Sequence, residues 1–245
     1  MQNLKNKIPG LIVFLILLTS QGAMSQDNEN LLQKADSLFD QNLYTQSLTI
    51  YNQLYEERNS YTPQMLLKMA YILEGLGNHS KALYYLNIYY DKTLDKAVLA
   101  KMEELASQHK LSGYQLTDTD LLLSYYYKYL PILVFLGLAL CMGLCLVVVF
   151  NKKNGKKILF PGIALLLSLL LIAYMNNIER KHKSGIVSNS ATYLYTGPSS
   201  ASGVLDVIEA GHKVSIIGKE DIWIRILWDG TPAYVRKNHL LVLGN

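Results

Sequence analysis

Apolar residues are spread along this chain in four different patterns, and each predicts a different kind of element. Behind Lys5 and Lys7, an apolar stretch from Ile8 to Leu18 ends at polar Thr19, Ser20 and Gln21. Ala23-Met24-Ser25 then forms a small-x-small step, so residues 1–25 have the shape of a secretory signal cut ahead of Gln26. Residues 26–110 predict a set of paired helices. Two long apolar runs follow, 129–150 and 158–175, separated by the seven residues 151–157. Each is long enough to cross a hydrocarbon layer about 30 Å thick at about 1.5 Å per residue, the second only just. From 185 to 243 the pattern changes to period two, rich in Val, Ile, Tyr and Trp and broken by Gly197-Pro198, Gly211, Gly218 and Asp229-Gly230. That alternation predicts several short strands in a small closed barrel.

The helical region repeats itself. Ala35, Asn42, Tyr44, Ser47 and Tyr51 align with Ala70, Gly77, His79, Ala82 and Leu86 at a constant offset of 35 residues. Small side chains at Ala35 and Ser47, and at Ala70 and Ala82, let two antiparallel helices approach closely. Asn42 and Gly77 are residue types that tolerate a left-handed backbone between the helices. Pro63 suits the first turn of a helix, where its missing N–H costs nothing. Thr93 to Gln108 predicts a further helix capping the stack, with Ala97, Ala100, Leu105 and Ala106 on its apolar side. Residues 111–128 predict a loop and then an interfacial segment, since Tyr125, Tyr126, Tyr127 and Tyr129 are of the type that collects at a bilayer surface.

Charge orients the pattern. The loop 151–157 carries Lys152, Lys153, Lys156 and Lys157 and no acid, so it is expected in the cytoplasm. A loop so short cannot recross a bilayer. The two runs therefore predict a hairpin whose flanks, residues 26–128 and 176–245, both lie outside. The basic stretch Glu179 to Lys183, in the linker 176–184, opposes this; signal and loop together outweigh it. The formal charge of +4 is not a nucleic-acid signal, because residues 26–128 hold nine Lys and Arg against thirteen Asp and Glu. Cys141 and Cys145 lie inside the first run and are expected to be small packing residues, not a disulfide or metal site.

No catalytic constellation is legible. His79, His109, His182, His212 and His239 are scattered without metal-ligand spacing, and there is no nucleophile elbow and no phosphate-binding glycine loop. No charge interrupts the apolar runs to suggest a transport path. The chain is expected to be neither an enzyme nor a transporter, with no cofactor or metal.

The stretch Ala35 to Tyr51, with a second copy at 63–90, resembles the tetratricopeptide (TPR) repeat. The resemblance implies a helical array over 26–110 whose groove, lined by Asp36, Phe39, Gln64, Leu67, Tyr71 and Glu74, takes a peptide or a protein surface. Tyr193-x-Tyr195-x-Gly197-Pro198-Ser199, the strand Glu209 to Ile217, Trp223-x-x-Ile226 and Asp229-Gly230 leading to Tyr234-Val235 resemble a bacterial SH3 (SH3b) domain over 185–245. The chain departs from the usual Leu-Arg at Leu194-Tyr195 and from Gly-Trp-Val at Ala233-Tyr234-Val235. The resemblance implies an aromatic-lined surface at Tyr193, Tyr195, Trp223 and Tyr234 for peptidoglycan or proline-containing peptides, with Ile222, Ile224, Ile226 and Trp228 on the core face and Trp223 either an anchor at a partly exposed edge or a structural residue that closes the barrel. The whole is a multidomain membrane protein: a helical TPR array, a two-helix transmembrane hairpin and an SH3-like barrel.

This order of modules is similar to the BatE-type proteins of bacterial aerotolerance operons. That similarity implies a bacterial inner-membrane location with periplasmic domains. It also implies neighbours among von Willebrand A domain membrane proteins and MoxR-type ATPases. The expected function is a membrane-anchored scaffold that joins periplasmic or membrane proteins and binds no nucleic acid. The alternative is a cell-wall sensor whose SH3b domain binds peptidoglycan peptides.

Overall fold

The computed structural model describes residues 26–115, 117–176 and 183–244; the signal segment and most of the linker 176–184 lie outside these. The described chain has seven α-helices followed by one antiparallel sheet, and divides into two compact units between Tyr85 and Leu86.

In the first unit, α1 (residues 26–40) and α2 (Tyr44–Asn52, continued as a π-helical turn Gln53–Glu57) form one pair. The second pair is α3 (Pro63–Gly75) and the start of α4 (His79–Thr93). The turns inside the two pairs are copies of one another. Asn42 has φ 62° and Gly77 has φ 75°. The Leu43 N–H donates to the Leu38 carbonyl at 2.9 Å, and the Asn78 N–H to Leu73 at 2.8 Å. The Asn42 N–H donates to Phe39 at 2.9 Å, and the Gly77 N–H to Glu74 at 3.0 Å. Each is a left-handed C-terminal cap that satisfies carbonyls the helix leaves open. The four small residues lie in the contacts they were expected to make: Ala35, Ser47, Ala70 and Ala82 are all buried. A hydroxyl is tolerated at Ser47 because it donates to the Ala35 carbonyl at 2.8 Å. Pro63 opens α3, with the Thr62 hydroxyl accepting the Met65 N–H as N-cap.

In the second unit, α5 (Lys96–Gln108) is capped by Asp95 and buries Val98, Met102, Leu105 and Ala106. Leu105 and Ala106 lie on the buried side as expected, whereas Ala97 and Ala100 are exposed, so the start of the helix turns a different side inward from the one expected. Leu94, at φ 56°, ends α4 and resets the helix phase just before α5. The long helix α6 (Asp118–Lys153) starts at a capping box between Thr117 and Asp120, so the tyrosine cluster is part of the same helix as the apolar run. By length and apolar composition α6 can cross a membrane; α7 (Leu159–Asn176) is apolar but shorter. The two helices pack antiparallel. Tyr126 donates to the Met175 carbonyl at 3.0 Å, and Cys141 lies 3.1 Å from the Ser168 hydroxyl. A Cβ on Gly137 would come within 3.0 Å of Ile172. Gly137 and Cys141, one turn apart, are thus the small residues that let the backbones approach. Cys145 faces away, exposed.

The sheet comprises β1 (Lys183–Val187), β2 (Thr192–Tyr195), β3 (Val204–Ile208), β4 (Lys213–Glu220), β5 (Trp223–Trp228), β6 (Thr231–Arg236) and β7 (Leu240–Val242), in the order β3-β2-β6-β5-β4-β1-β7. Asp229 and Gly230, at φ 45° and 77°, make the two-residue β5–β6 turn. Val187, Leu194, Ile208, Val214, Ile224, Ile226, Ala233, Val235 and Leu240 form the core. Ile222 does not join it: the β4–β5 turn occupies Asp221 and Ile222, leaving Ile222 53% exposed.

One contact ties this sheet to the chain before the hairpin. The Ser112 N–H donates to His212 Nδ1 at 3.1 Å, and the Lys213 N–H donates to the Ser112 carbonyl at 3.0 Å. The buried Tyr114 hydroxyl donates to the Gly211 carbonyl at 2.6 Å. Gly113 allows the approach, since a Cβ there would lie 2.0 Å from the Lys213 carbonyl oxygen. Residues 111–114 are in effect a strap laid across the start of β4.

Candidate functional site

Alternation in β2, β5 and β6 puts one set of side chains into the core and the other onto the outer face. The inward set is Leu194, Ile224, Ile226, Ala233 and Val235. The outward set holds Tyr193, Tyr195, Trp223, Arg225, Tyr234 and Arg236. All four nominated SH3b residues therefore lie on one face. Tyr195 and Tyr234 are directly opposed on β2 and β6, and the Tyr195 ring meets the Trp223 indole edge-on at 5.3 Å. Tyr193, half exposed, lies 6.5 Å from Tyr195.

Trp223 is only 6% exposed, which fits the structural of its two expected roles and not the anchor at a partly exposed edge. Tyr195 covers one side, and the Arg236 guanidinium stacks 5.5 Å from the ring centre. The indole is the floor of the face, while Tyr193 is its accessible aromatic.

Two arginines missed by the sequence reading complete the surface. Arg225 lies 6.0 Å from the Tyr234 ring centre, and its buried Nε has no hydrogen-bond partner among the described residues. Arg236 donates to the Ser200 hydroxyl at 2.7 Å. Among the described residues neither guanidinium forms an ion pair. Glu220 is the acid on this face, where it accepts from the Tyr234 hydroxyl at 3.3 Å. The pattern was available: Arg225 alternates with the core isoleucines, and Arg236 pairs with Trp223.

The helical set behaves differently. Phe39 on α1 and Tyr71 on α3 meet edge-on at 5.8 Å, and Tyr44 on α2 completes a three-ring cluster at 5.3 and 5.9 Å. Tyr71 is 60% exposed and forms the open side. Asp36 is not a free acid: it takes Lys68 at 2.8 Å and the Tyr51 hydroxyl at 2.5 Å. Lys68 also lies 5.0 Å from the Phe39 ring centre, so it offsets the acidity expected here. Burial and the hydrogen bond to Asp36 push the Tyr51 hydroxyl far above its ordinary range, so it remains a proton donor. Gln64 is exposed, and Leu67 and Glu74 are half-buried along α3. Lys152, Lys153, Lys156 and Lys157 are all exposed at the α6–α7 connection.

In the second unit, a cavity of about 620 Å³ lies between the strap, α4, α5, the start of α6 and the sheet. Lys213 borders it with its ammonium on Asn87 at 2.8 Å, and burial holds its pKa below the ordinary lysine range. Apolar spacing gave no sign of this cavity, because it forms between elements far apart in sequence.

The chain as a whole matches no curated protein. Residues 190–241, from the loop before β2 to β7 and including the aromatic and arginine face, match the bacterial SH3 domain.

Proposed function

We propose that this protein is a membrane-anchored interaction scaffold in which a TPR-like helical array and the bacterial SH3 domain each offer a binding surface on the outer side of a bacterial inner membrane. The observation that carries this is the face of Tyr193, Tyr195, Trp223 and Tyr234, built outside a core that is complete without it. A barrel needs its inward residues to fold; large aromatics on the outward side, beside two arginines that form no ion pair among the described residues, are the equipment of a binding surface.

Three further points support the reading. The hydrogen bonds of the two helical turns repeat at a spacing of 35, which suits a TPR pair. The strap of residues 111–114 joins the chain before α6 to the sheet after α7, which suits a hairpin with both flanks on one side. Four exposed lysines at the hairpin tip suit a cytoplasmic loop. Held at one membrane surface, two modest affinities reinforce each other through effective concentration. The likeness to BatE-type proteins would make von Willebrand A domain membrane proteins and a MoxR-type ATPase system the partners to test.

Photoreactive side chains at Tyr71 and Tyr193 in living cells test the proposal, with adducts read by mass spectrometry. A discrete protein at Tyr71 is the expected result. Wall fragments at Tyr193 with nothing at Tyr71 would favour the peptidoglycan sensor instead, and no adduct at either position would overturn both binding surfaces.

A further inference from the structure

We infer that the outer face of the SH3 domain selects a peptide carrying carboxylates at alternate positions, gripped by Arg225 and Arg236 beside the tyrosines. The inference rests on reading this face as a binding surface and adds to it the chemistry of the occupant. Arg225 on β5 is directly opposite Tyr234 on β6, and Trp223 is opposite Arg236. Arg225 and Arg236 are therefore diagonal neighbours on an antiparallel ladder, a relation that places residues about 7–8 Å apart. Alternate residues of an extended peptide are spaced by about 7 Å, so two carboxylates on one side of such a strand match the spacing of the two arginine positions on the ladder.

The charges on the face leave them to meet such a ligand. Arg225 lies 6.0 Å from the Tyr234 ring centre and Arg236 5.5 Å from that of Trp223, Arg236 donating to the neutral Ser200 hydroxyl, and among the described residues neither forms an ion pair. The ring beside each guanidinium limits its freedom, which lowers the ordering cost of a bond to a carboxylate. Glu220 is turned to the Tyr234 hydroxyl, and with two cations against one acid the face is net positive. Tyr193, half exposed beside Tyr195, offers a flat apolar contact for a further residue on the same side of the strand as the acids. That spacing is the one of an ordinary extended protein segment, which is the occupant inferred, and binding of wall fragments is the competing outcome that the experiment reads.

The test is fluorescence anisotropy with the full chain in detergent micelles. Three probes are compared: a labelled extended peptide with glutamates two residues apart and a tyrosine on the same side of the strand, the same peptide with glutamines, and labelled soluble wall fragments. The glutamate peptide should bind roughly tenfold or more tighter than the glutamine peptide, the worth of one charge-assisted hydrogen bond. Arg236→Gln should remove most of that preference, and Arg236→Lys should restore only part, because the charge returns without the fork. Arg236 is exposed, so its substitution can be read even if Arg225→Gln disturbs folding. Wall fragments binding better than the glutamate peptide, with the same loss in Arg236→Gln, would assign the carboxylates to the wall. Equal binding of both peptides, or a preference that survives Arg236→Gln, would overturn the charge selection while leaving the aromatic surface standing. No binding of any probe would remove the surface itself.

Discussion

Asn42 and Gly77 do the same work with different side chains, and they show how much a single residue type can reveal. Both hold a left-handed backbone that closes a helix, at φ 62° and 75°. Open space surrounds Gly77, so a Gly77→Ala change meets no clash and isolates the backbone cost. It should lower stability by about 1–2 kcal/mol, whereas Asn42→Gly should be neutral or better. Chemical denaturation of the full chain in micelles, followed by circular dichroism, reads both; a neutral Gly77→Ala would count against the cap. His212 carries a second residue-scale prediction. Its Nδ1 accepts the Ser112 N–H and so must be unprotonated. Burial lowers its pKa below 6.5, opposed by Glu209, Asp206 and Asp229. A lowered pKa means the unfastened state binds the proton more tightly, so the bond's contribution is present above the ordinary value and is lost as pH falls below it. Amide exchange in residues 111–114 should accelerate as pH is lowered from neutral through about 6.5 and below. Constant protection across that range would show that His212 does not fasten the strap.

Among the elements, the strands of the sheet were the most legible. Strict alternation identified β2, β3 and most of β4 and β5, and Asp229-Gly230 signalled its turn by residue type alone. The helical pairs were legible through the 35-residue repeat. The face of α5 was not: which of its sides turns inward depends on Leu94, and Ala97 and Ala100 are small enough to suit either side. The strap was also hidden, since a glycine at 113 reads as an ordinary loop until Lys213, a hundred residues on, lies against it. Gly113→Ala cannot keep that approach, with its Cβ 2.0 Å from the Lys213 carbonyl oxygen. It should detach residues 111–114 from β4 and leave the sheet folded, seen as loss of exchange protection at Ser112 and Lys213 with the core amides of β5 unchanged.

At the scale of the whole molecule, the proposed topology makes its own prediction. With Cys141 and Cys145 replaced by alanine, a cysteine at position 193 should react with a membrane-impermeant maleimide in spheroplasts, and one at position 153 only after lysis. Labelling of both before lysis would end the hairpin reading. The amino-acid sequence by itself determined what depends on neighbours in the chain: apolar run lengths, strand alternation, left-handed turns and the lysine-only loop are local statements of solvation and backbone preference. Tyr193, Tyr195, Trp223 and Tyr234 were singled out through the resemblance to an SH3b domain, and the pairing of β2 with β6 and of β6 with β5 is what puts them on a common face. Tertiary structure alone decided which of those rings is open and which is covered, since burial of Trp223 depends on Tyr195 and Arg236 arriving from other strands. It alone set Lys68 against Asp36, left Arg225 without an acid among the described residues, and drew Ser112 to His212. Those are long-range pairings of charge and hydrogen bond, and no local pattern records them.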